Sequence, residues 1–396
     1  MRQEPYRLFF PLGMALAWAG VLHWLLHALG VLPDYRPVFH SIVQIQGFMT
    51  CFALGFLFTA IPRRTGTAPP SAWELGAGLA LPVGCAMAAW YQRWALSQLC
   101  WLVLVLMLIQ FIVRRFHSAA AARRPPTSFL WIPFSFAMGV AGSLLTSSLG
   151  LLGPQAFWLH NLGKGLLFQG LFLGLVVGIG GMILPLITRG MAPPDARRGE
   201  WLARAGHGAA AVTLAASFWV ENTRSLRAGY ALRGAVILTL LLVSAGLAHR
   251  PRVAGWHRRA VWLSAWLIPA GYFLGALFPA QSKAGLHVVF LGGFALMAWS
   301  VGLHVTLAHG GYREMILGRP WQVPAYTLLL LGAMILRALM EFDQARFFVW
   351  LGSSAAAFLL ASLIWASVAL VRLRRKDSRP GPAAGWIGAD PGKGSG

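Results

Sequence analysis

Five histidines in apolar surroundings are the residues best suited to metal or haem chemistry. His40, His160 and His287 recur at intervals of 120 and 127 residues, and His23 and His27 form an i,i+4 pair on one helix face. Imidazole suits Zn, Cu and Fe, and two histidines from different helices can ligate a haem iron from opposite faces. A hydrogen-bonded histidine at a membrane interface is the alternative for each of them taken alone.

The elements that must position these histidines are membrane-spanning helices. The chain has 396 residues, 57% of them apolar and 11% charged, and its mean hydropathy is +0.63. This composition excludes a soluble enzyme, a disordered chain and a secreted disulfide scaffold. Stretches long enough to cross a bilayer predict an all-α polytopic bundle of about twelve transmembrane helices, at 8–30, 40–61, 73–91, 94–113, 129–153, 161–187, 201–220, 230–248, 260–279, 285–307, 324–340 and 346–371. They form one predicted domain, 1–376, before a Gly- and Pro-rich tail, 377–396, predicted to be disordered.

The basic residues set the predicted orientation. The chain carries 33 Lys and Arg against 11 Asp and Glu, a net charge of +22. With both termini in the cytoplasm, 24 basic residues fall in inner segments and 7 in outer ones, and Lys164 and Arg337 fall within spans. The sequence therefore predicts a multi-pass protein of the bacterial inner (cell) membrane whose inner face contacts anionic lipid. Nucleic acid is not an expected partner.

This orientation places all five histidines toward the outer end of the bundle. Glycines follow His40 at offsets of 7 and 15 residues and follow His287 at offsets of 6 and 15. Three four-helix repeats are one explanation for the recurring pattern. The other is chance, because the chain contains 45 glycines. Such glycines would let a flat ring approach the backbone, or serve plain helix packing.

Other polar residues have simpler interpretations. Lys164 lies one turn after His160, where an ammonium could neutralise a haem propionate, bind an anion or reach the nearby interface. Arg337, Glu341 and Asp343 are interpreted as an interfacial salt-bridge cluster. The sequence contains no phosphate-binding loop, dinucleotide fingerprint or zinc-protease motif, and its three cysteines show no CxxC spacing.

Four stretches resemble the NnrS family of haem- and copper-containing polytopic membrane proteins, which are associated with nitric oxide stress. EPYRLFFPLG at 4–13 is similar to the family's N-terminus, and FHSIVQIQGFMTCFALGFLFTAIPRRTG at 39–66 is similar to its WHAHEM…GFLLTAVPNWTG segment. GGMILPLITR at 180–189 and HVVFLGGFALMAWSVGLHVTLAHGG at 287–311 resemble its third and fourth landmarks. The order, spacing and helix count agree over nearly the whole chain.

The resemblance implies haem b and copper as cofactors, with departures at the ligand positions. The family's His-x-His-Glu is His40, Ser41, Ile42 and Val43 here, so the second histidine and the carboxylate are missing. His304 stands where the family has Arg in its last landmark. The matching histidines are His40, His287 and His309. The cofactor-binding residues implied are therefore His40 and His287, with His160 and Lys164 beside them. The metal candidates are His40, His287, His23, His27 and His309.

Two functions follow as alternatives. The first is an NnrS-like haem-binding protein of the inner membrane that acts in nitric oxide resistance or metabolism, with a small gaseous ligand such as nitric oxide. The second is a cofactor-free transporter or permease of a small solute, in which Lys164 and the helices broken by Gly and Pro line a path. A relative of the haem–copper oxidases is disfavoured, because no span contains two adjacent histidines.

The charge distribution makes the topology testable. Reporter fusions in the 62–72 loop and at the C-terminus should both report a cytoplasmic location, because both segments belong to the strongly basic side. A fusion in the outer loop around Arg93 is the control and should report the periplasm. A periplasmic signal from either of the first two fusions would contradict the topology.

Overall fold

The protein is a bundle of long helices, described by a computed structural model over residues 2–118, 126–191 and 200–373. No β-strand occurs in these ranges, and the prediction of an all-α polytopic bundle is confirmed. The predicted tail, 377–396, lies outside the described residues. The twelve long helices are α1 (Tyr6–Ala28), α2 (Pro37–Thr65), α3 (Ala72–Trp90), α4 (Trp94–Phe116), α5 (Thr127–Gly150), α6 (Pro154–Arg189), α7 (Trp201–Thr223), α8 (Leu226–Ser244), α9 (Trp256–Leu277), α10 (Pro279–His309), α11 (Gln322–Leu339) and α12 (Gln344–Leu373).

Local sequence signals explain where several helices begin and end. α3 begins with a capping box, in which the Glu74 backbone N–H donates to Ser71 Oγ (3.3 Å) and the Ser71 N–H donates to the Glu74 carboxylate (2.7 Å). α2 and α6 end at Gly66 and Gly190, which adopt left-handed conformations with φ of +69° and +72°. Glycine reaches this conformation without steric cost, so it stops a helix cleanly.

Eleven of the twelve helices are long and apolar enough to cross a membrane, so the chain is a multi-pass membrane protein. The twelfth, α7, has 23 residues but is less apolar. It nevertheless follows its neighbours along its length. The Trp131 indole donates to His207 Nδ1 (3.1 Å) near its first residue, and Trp219 contacts Trp158 edge-on (5.5 Å) near its last.

Three helices form the centre of the bundle. In the most apolar stretches of α2, α6 and α10, 89%, 83% and 72% of the residues are buried, against 28–56% for the other eight spans. The remaining helices surround them, and α1 packs against α12, so the outer layer closes into a ring. α5 contacts α4, and α9 packs against α8, so the first helix of each group of four contacts the last helix of the group before it. Each central helix is thus the second member of a four-helix unit.

Each central helix also contains a π-helical segment close to its histidine. The segments are Val43–Met49 in α2, Leu166–Gly170 in α6 and Val288–Ala295 in α10. They begin three, six and one residues after His40, His160 and His287. π segments are uncommon and often mark functional sites. Their recurrence within six residues of the histidine on each central helix supports the three four-helix repeats.

Small residues allow the close contacts between central helices and their neighbours. A Cβ atom added to Gly142 of α5 would lie 2.5 Å from the backbone nitrogen of Leu167 and 2.7 Å from the Gly163 oxygen. A Cβ atom added to Gly271 of α9 would lie 2.6 Å from the backbone oxygen of Gly285. These distances are shorter than van der Waals contact, so both crossings require glycine.

A buried polar cluster joins α6, α7, α8 and α9. The Arg233 guanidinium, one of the seven basic residues counted in the outer segments, is fully buried in α8. It donates to Glu221 (2.6 Å), Gln169 (2.8 Å) and Ser217 (3.2 Å), and the Tyr272 hydroxyl donates to the same Gln169 oxygen (3.0 Å). All of these groups are satisfied within the cluster, which gives it a structural role.

The glycine contacts predict a position-specific effect on stability. Gly271→Ala should lower the free energy of unfolding by about 1–3 kcal/mol, because the methyl group forces α9 and α10 apart. Gly332→Ala in α11 is the matched control, since no atom lies within 4 Å of the added carbon. It should leave the thermal unfolding temperature unchanged or raise it. Equal melting curves for the two purified variants would contradict this account.

Candidate functional site

His40 is held between α1 and α2 by contacts on two sides. Its Nδ1 atom lies 2.7 Å from the backbone oxygen of Gly20. The indole of Trp24 stacks on the imidazole with ring centroids 3.7 Å apart and an interplanar angle of 14°. The His23 ring lies 6.5 Å away on the same helix as Trp24. Because the neighbouring helix supplies both contacts, the orientation of the His40 ring is fixed by the packing of α1 on α2.

His287 occupies the corresponding place on α10 and lies near His40. Its Nδ1 atom lies 2.7 Å from the backbone oxygen of Lys283, in the preceding turn. The Arg337 guanidinium from α11 acts electrostatically on both imidazoles, and His40 also acts on His287. The structure therefore brings together the first two predicted ligands and adds a cation beside them.

All five candidate histidines bind a backbone carbonyl through the same ring atom. The Nδ1–oxygen distances are 3.4, 2.9, 2.7, 2.8 and 2.7 Å for His23, His27, His40, His160 and His287. A carbonyl only accepts hydrogen bonds, so Nδ1 carries the proton and Nε2 keeps its lone pair. A hydrogen bond of this kind fixes the tautomer of a metal-ligating histidine. We call the end of the bundle that carries these five residues the histidine end.

Three buried polar atoms at the histidine end have no hydrogen-bond partner among the described residues. They are His23 Nε2, Trp24 Nε1 and Arg337 Nε. Arg337 has a single anionic partner there, Glu341, at 2.8 Å, and its side chain is only 8% exposed. Asp343, grouped with them in the sequence, accepts instead from the Trp350 indole (3.0 Å). Unpaired polar groups of this kind are rare in native proteins and point to a missing polar partner.

The residues that sequence reasoning missed at this site are Trp24 and Arg337. Trp24 is one of 18 tryptophans in the chain, and nothing in its immediate sequence distinguishes it. Arg337 did carry a signal, since it is one of two basic residues that fall within predicted spans. Its pairing with Glu341, four residues later, favoured the interfacial interpretation.

His160 and Lys164 lie on α6, in a different environment. The His160 ring is near Phe157, with centroids 6.4 Å apart, and binds the Thr146 carbonyl of α5. The Lys164 side chain is exposed. The charged group that acts on it is another cation, Lys283. These contacts favour the interpretation of Lys164 as an interfacial side chain.

His309 lies at the opposite end of α10, about 33 Å from His287 at 1.5 Å per residue. It contacts the Arg63 guanidinium and the Tyr6 ring, whose centroid is 5.4 Å away. His304, five residues earlier, forms a hydrogen bond with His257, and 3.1 Å separates His304 Nδ1 from His257 Nε2. His309 therefore does not share a site with the other four metal candidates.

The glycines expected to admit a flat ring contact protein side chains. A Cβ atom on Gly55 would lie 2.9 Å from Phe10, one on Gly293 would lie 2.5 Å from Ile268, and one on Gly302 would lie 3.0 Å from Phe52. Gly47 faces Leu16 at 3.2 Å. Of the two roles that the sequence allowed, these contacts favour helix packing.

The described residues contain no ready-made metal cage. No group of three or more His, Cys, Asp or Glu side chains within residues 2–118, 126–191 and 200–373 is arranged to hold a metal ion. The site consists of separate imidazoles with available Nε2 atoms. Separate imidazoles do not form the compact four-ligand set of a structural zinc site.

Comparison with known proteins agrees with the resemblance in the sequence. No curated protein matches the chain closely enough to count as a relative. The family described as NnrS protein matches residues 1–376, which include every described helix and all eleven histidines. The chain therefore belongs to the NnrS family.

Proposed function

We propose that this protein holds haem b at the histidine end and acts in nitric oxide resistance or metabolism. Membership of the NnrS family supports an NnrS-like function. The observation that carries the haem proposal is the pairing of His40 and His287. They come from two central helices, lie within electrostatic range of each other, and each keeps Nε2 available because Nδ1 binds a carbonyl.

The residues around this pair fit the group. His40 and His287 are the residues that would hold the haem iron through their Nε2 atoms, since imidazole is a common haem ligand. Arg337 would meet a propionate, which would satisfy the buried Nε atom that lacks a partner in the described part of the chain. His23 and His27 are secondary candidates on α1, and His160 is a separate candidate on α6.

The protein environment would control how the cofactor meets its ligand. The haem iron, when bound, supplies a centre that coordinates nitric oxide. The gas is apolar and would reach the site through lipid. The carbonyl partners of His40 and His287 strengthen the imidazoles as ligands, which is one way in which a protein tunes an iron centre.

Copper is a weaker part of this proposal. At the histidine end, the ring centroids of His23 and His40 lie 6.5 Å apart, and the residues after His40 bring no second ligand. The permease alternative has no specific observation in its favour, because Lys164, which would line the path, is exposed.

The ligand assignment can be tested on the purified protein. His40→Ala and His287→Ala should each abolish or strongly reduce the Soret band, because each removes an imidazole that would hold the haem iron. A pyridine haemochrome assay and metal analysis of the same preparation measure haem and copper together. His117→Ala and His249→Ala are matched controls, since both histidines are exposed and bind only nearby carbonyls. Full haem content in both His40→Ala and His287→Ala would refute the assignment.

The role in nitric oxide stress can be tested by growth. A deletion strain should be sensitised to a nitric oxide donor more than to peroxide, because a haem iron near the membrane surface meets the gas before it reaches the cytoplasm. Complementation by the wild-type gene should restore growth, and complementation by His40→Ala or His287→Ala should not. The strains should lack other nitric oxide-consuming enzymes. Equal growth with and without the protein would count against this role, and full rescue by both variants would overturn the haem mechanism alone.

A further inference from the structure

A basic recess of about 470 Å³ lies at the end of the bundle opposite the histidine end. The loop between α2 and α3 forms one wall, and the last turn of α4 forms another. The recess is lined by three guanidinium groups, those of Arg2, Arg114 and Arg115, and by one carboxylate, that of Glu74. None of the five candidate histidines lies in its lining, so the recess is separate from the proposed haem site.

The carboxylate in the recess is already satisfied within the protein. Glu74 accepts from the Ser71 backbone N–H (2.7 Å) and lies 3.5 Å from an Arg115 nitrogen. Two other nitrogens of Arg115 donate to the carbonyls of Phe111 and Ala68, both at 3.2 Å. Glu74 and Arg115 therefore balance each other's charge, and together they hold the wall of the recess in place.

Arg2 and Arg114 carry the charges that Glu74 does not balance. The Arg2 Nε atom donates to the Pro70 carbonyl (3.0 Å). Within the described ranges, the terminal nitrogens of Arg2 and all nitrogens of Arg114 lack a hydrogen-bond or ion-pair partner. Both residues are exposed, and Arg114 also repels the neighbouring Arg115. An anion between these guanidinium groups would relieve the repulsion.

The charge and size of the recess favour a phosphate group with a small alcohol attached. Guanidinium groups bind phosphate oxygens through paired, charge-assisted hydrogen bonds. Pockets for small molecules measure about 300–1,000 Å³, so there is room for a phosphate with a glycerol. The recess is open on one side, and the charge of its lining, rather than enclosure, selects the ligand. A zwitterionic headgroup would bring an ammonium group close to the arginines and would be disfavoured.

The surfaces that lead into the recess favour a lipid over free phosphate. α3 and α4 are both candidate membrane spans, so their ends lie where hydrocarbon gives way to headgroups. Trp73, in the first turn of α3, lines the recess and is 56% exposed, and tryptophan is enriched at this level of a membrane. Exposed apolar residues run along α4 and end next to Arg114; they are Leu99, Val103, Leu106 and Val113. A lipid whose acyl chains lie along α4 has its phosphate within reach of the recess.

We propose that the recess between the α2–α3 loop and the end of α4 binds the phosphate headgroup of an anionic phospholipid through Arg2 and Arg114. This assigns the lipid contact of a basic membrane face to one defined site. Basic pockets beside transmembrane helices bind such headgroups in membrane proteins generally. The site goes beyond the proposed haem function and does not depend on it.

Native mass spectrometry of the purified, delipidated full-length protein measures this binding directly. The protein should bind phosphatidylglycerol more tightly than phosphatidylcholine with the same acyl chains. Arg2→Gln and Arg114→Gln together should weaken phosphatidylglycerol binding about 25-fold, at about fivefold for each arginine removed. Both side chains are exposed, so the double variant should fold. Arg250→Gln with Arg252→Gln is the matched control, because it removes two exposed arginines at the same end of the bundle. It should leave the affinity unchanged.

The outcomes separate this proposal from the haem assignment. Equal affinity of the wild-type protein for the two lipids, or equal weakening in the double variant and its control, would overturn the proposal. Displacement of phosphatidylglycerol by an equal concentration of inorganic phosphate would show that the recess takes free phosphate, and would also overturn it. None of these results concerns the Soret band, which reports on His40 and His287. A protein without haem that still selects phosphatidylglycerol would refute the haem assignment and leave the lipid site supported.

Discussion

Inside this bundle a polar group must find its partner within the protein, because neither lipid nor the apolar core can supply one. An unpaired buried polar group costs several kcal/mol in hydrocarbon, which is comparable to the whole effect of a severe point mutation. Arg233 meets this constraint with three side-chain acceptors. Each of the five histidines satisfies one of its two ring nitrogens in this way. A carbonyl binds Nδ1, and Nε2 stays available. Two of the exceptions among the described residues, Trp24 Nε1 and Arg337 Nε, lie at the histidine end.

The central helices arrange different environments at successive depths. His40 and His287 lie near the beginning of α2 and α10, the π segments follow, and regular α-helix continues beyond them. A π segment widens the helix locally and changes the direction of the side chains that follow it. Residues before and after each segment therefore face different neighbours than an unbroken α-helix would give them.

The sequence predicted the positions of the helices better than the contacts between them. The second predicted span, 40–61, lies within the observed Pro37–Thr65, and the less apolar seventh helix was predicted within three residues of its observed end. Hydropathy reports which residues avoid water, so it locates spans well. It does not report which helices touch. For this reason Arg233 was assigned to an outer loop, although its acceptors on α6 and α7 bury it completely.

The candidate site shows the same contrast between residue positions, which the sequence predicts, and contacts between helices, which it does not. The type and spacing of the histidines predicted a candidate ligand set, and the structure places His40 near His287. The stacking of Trp24 on His40 and the approach of Arg337 depend on packing of α1 on α2 and of α11 on α10, which no local pattern encodes. The π segments were missed because an inserted residue in a helix is indistinguishable by composition from an ordinary turn.

The closed outer layer has a consequence for how the protein is made. α1 packs against α12, and the Arg7 guanidinium donates to the backbone oxygen of Leu373, 366 residues later. At about 5–20 residues per second of synthesis, α12 follows α1 into the membrane after roughly 20–70 s. During that interval, the α12-facing side of α1 is in contact with lipid or an insertion factor. Completion of the ring is therefore a late event in biogenesis, and a stalled or truncated chain would present that uncovered side to the quality-control proteases of the membrane.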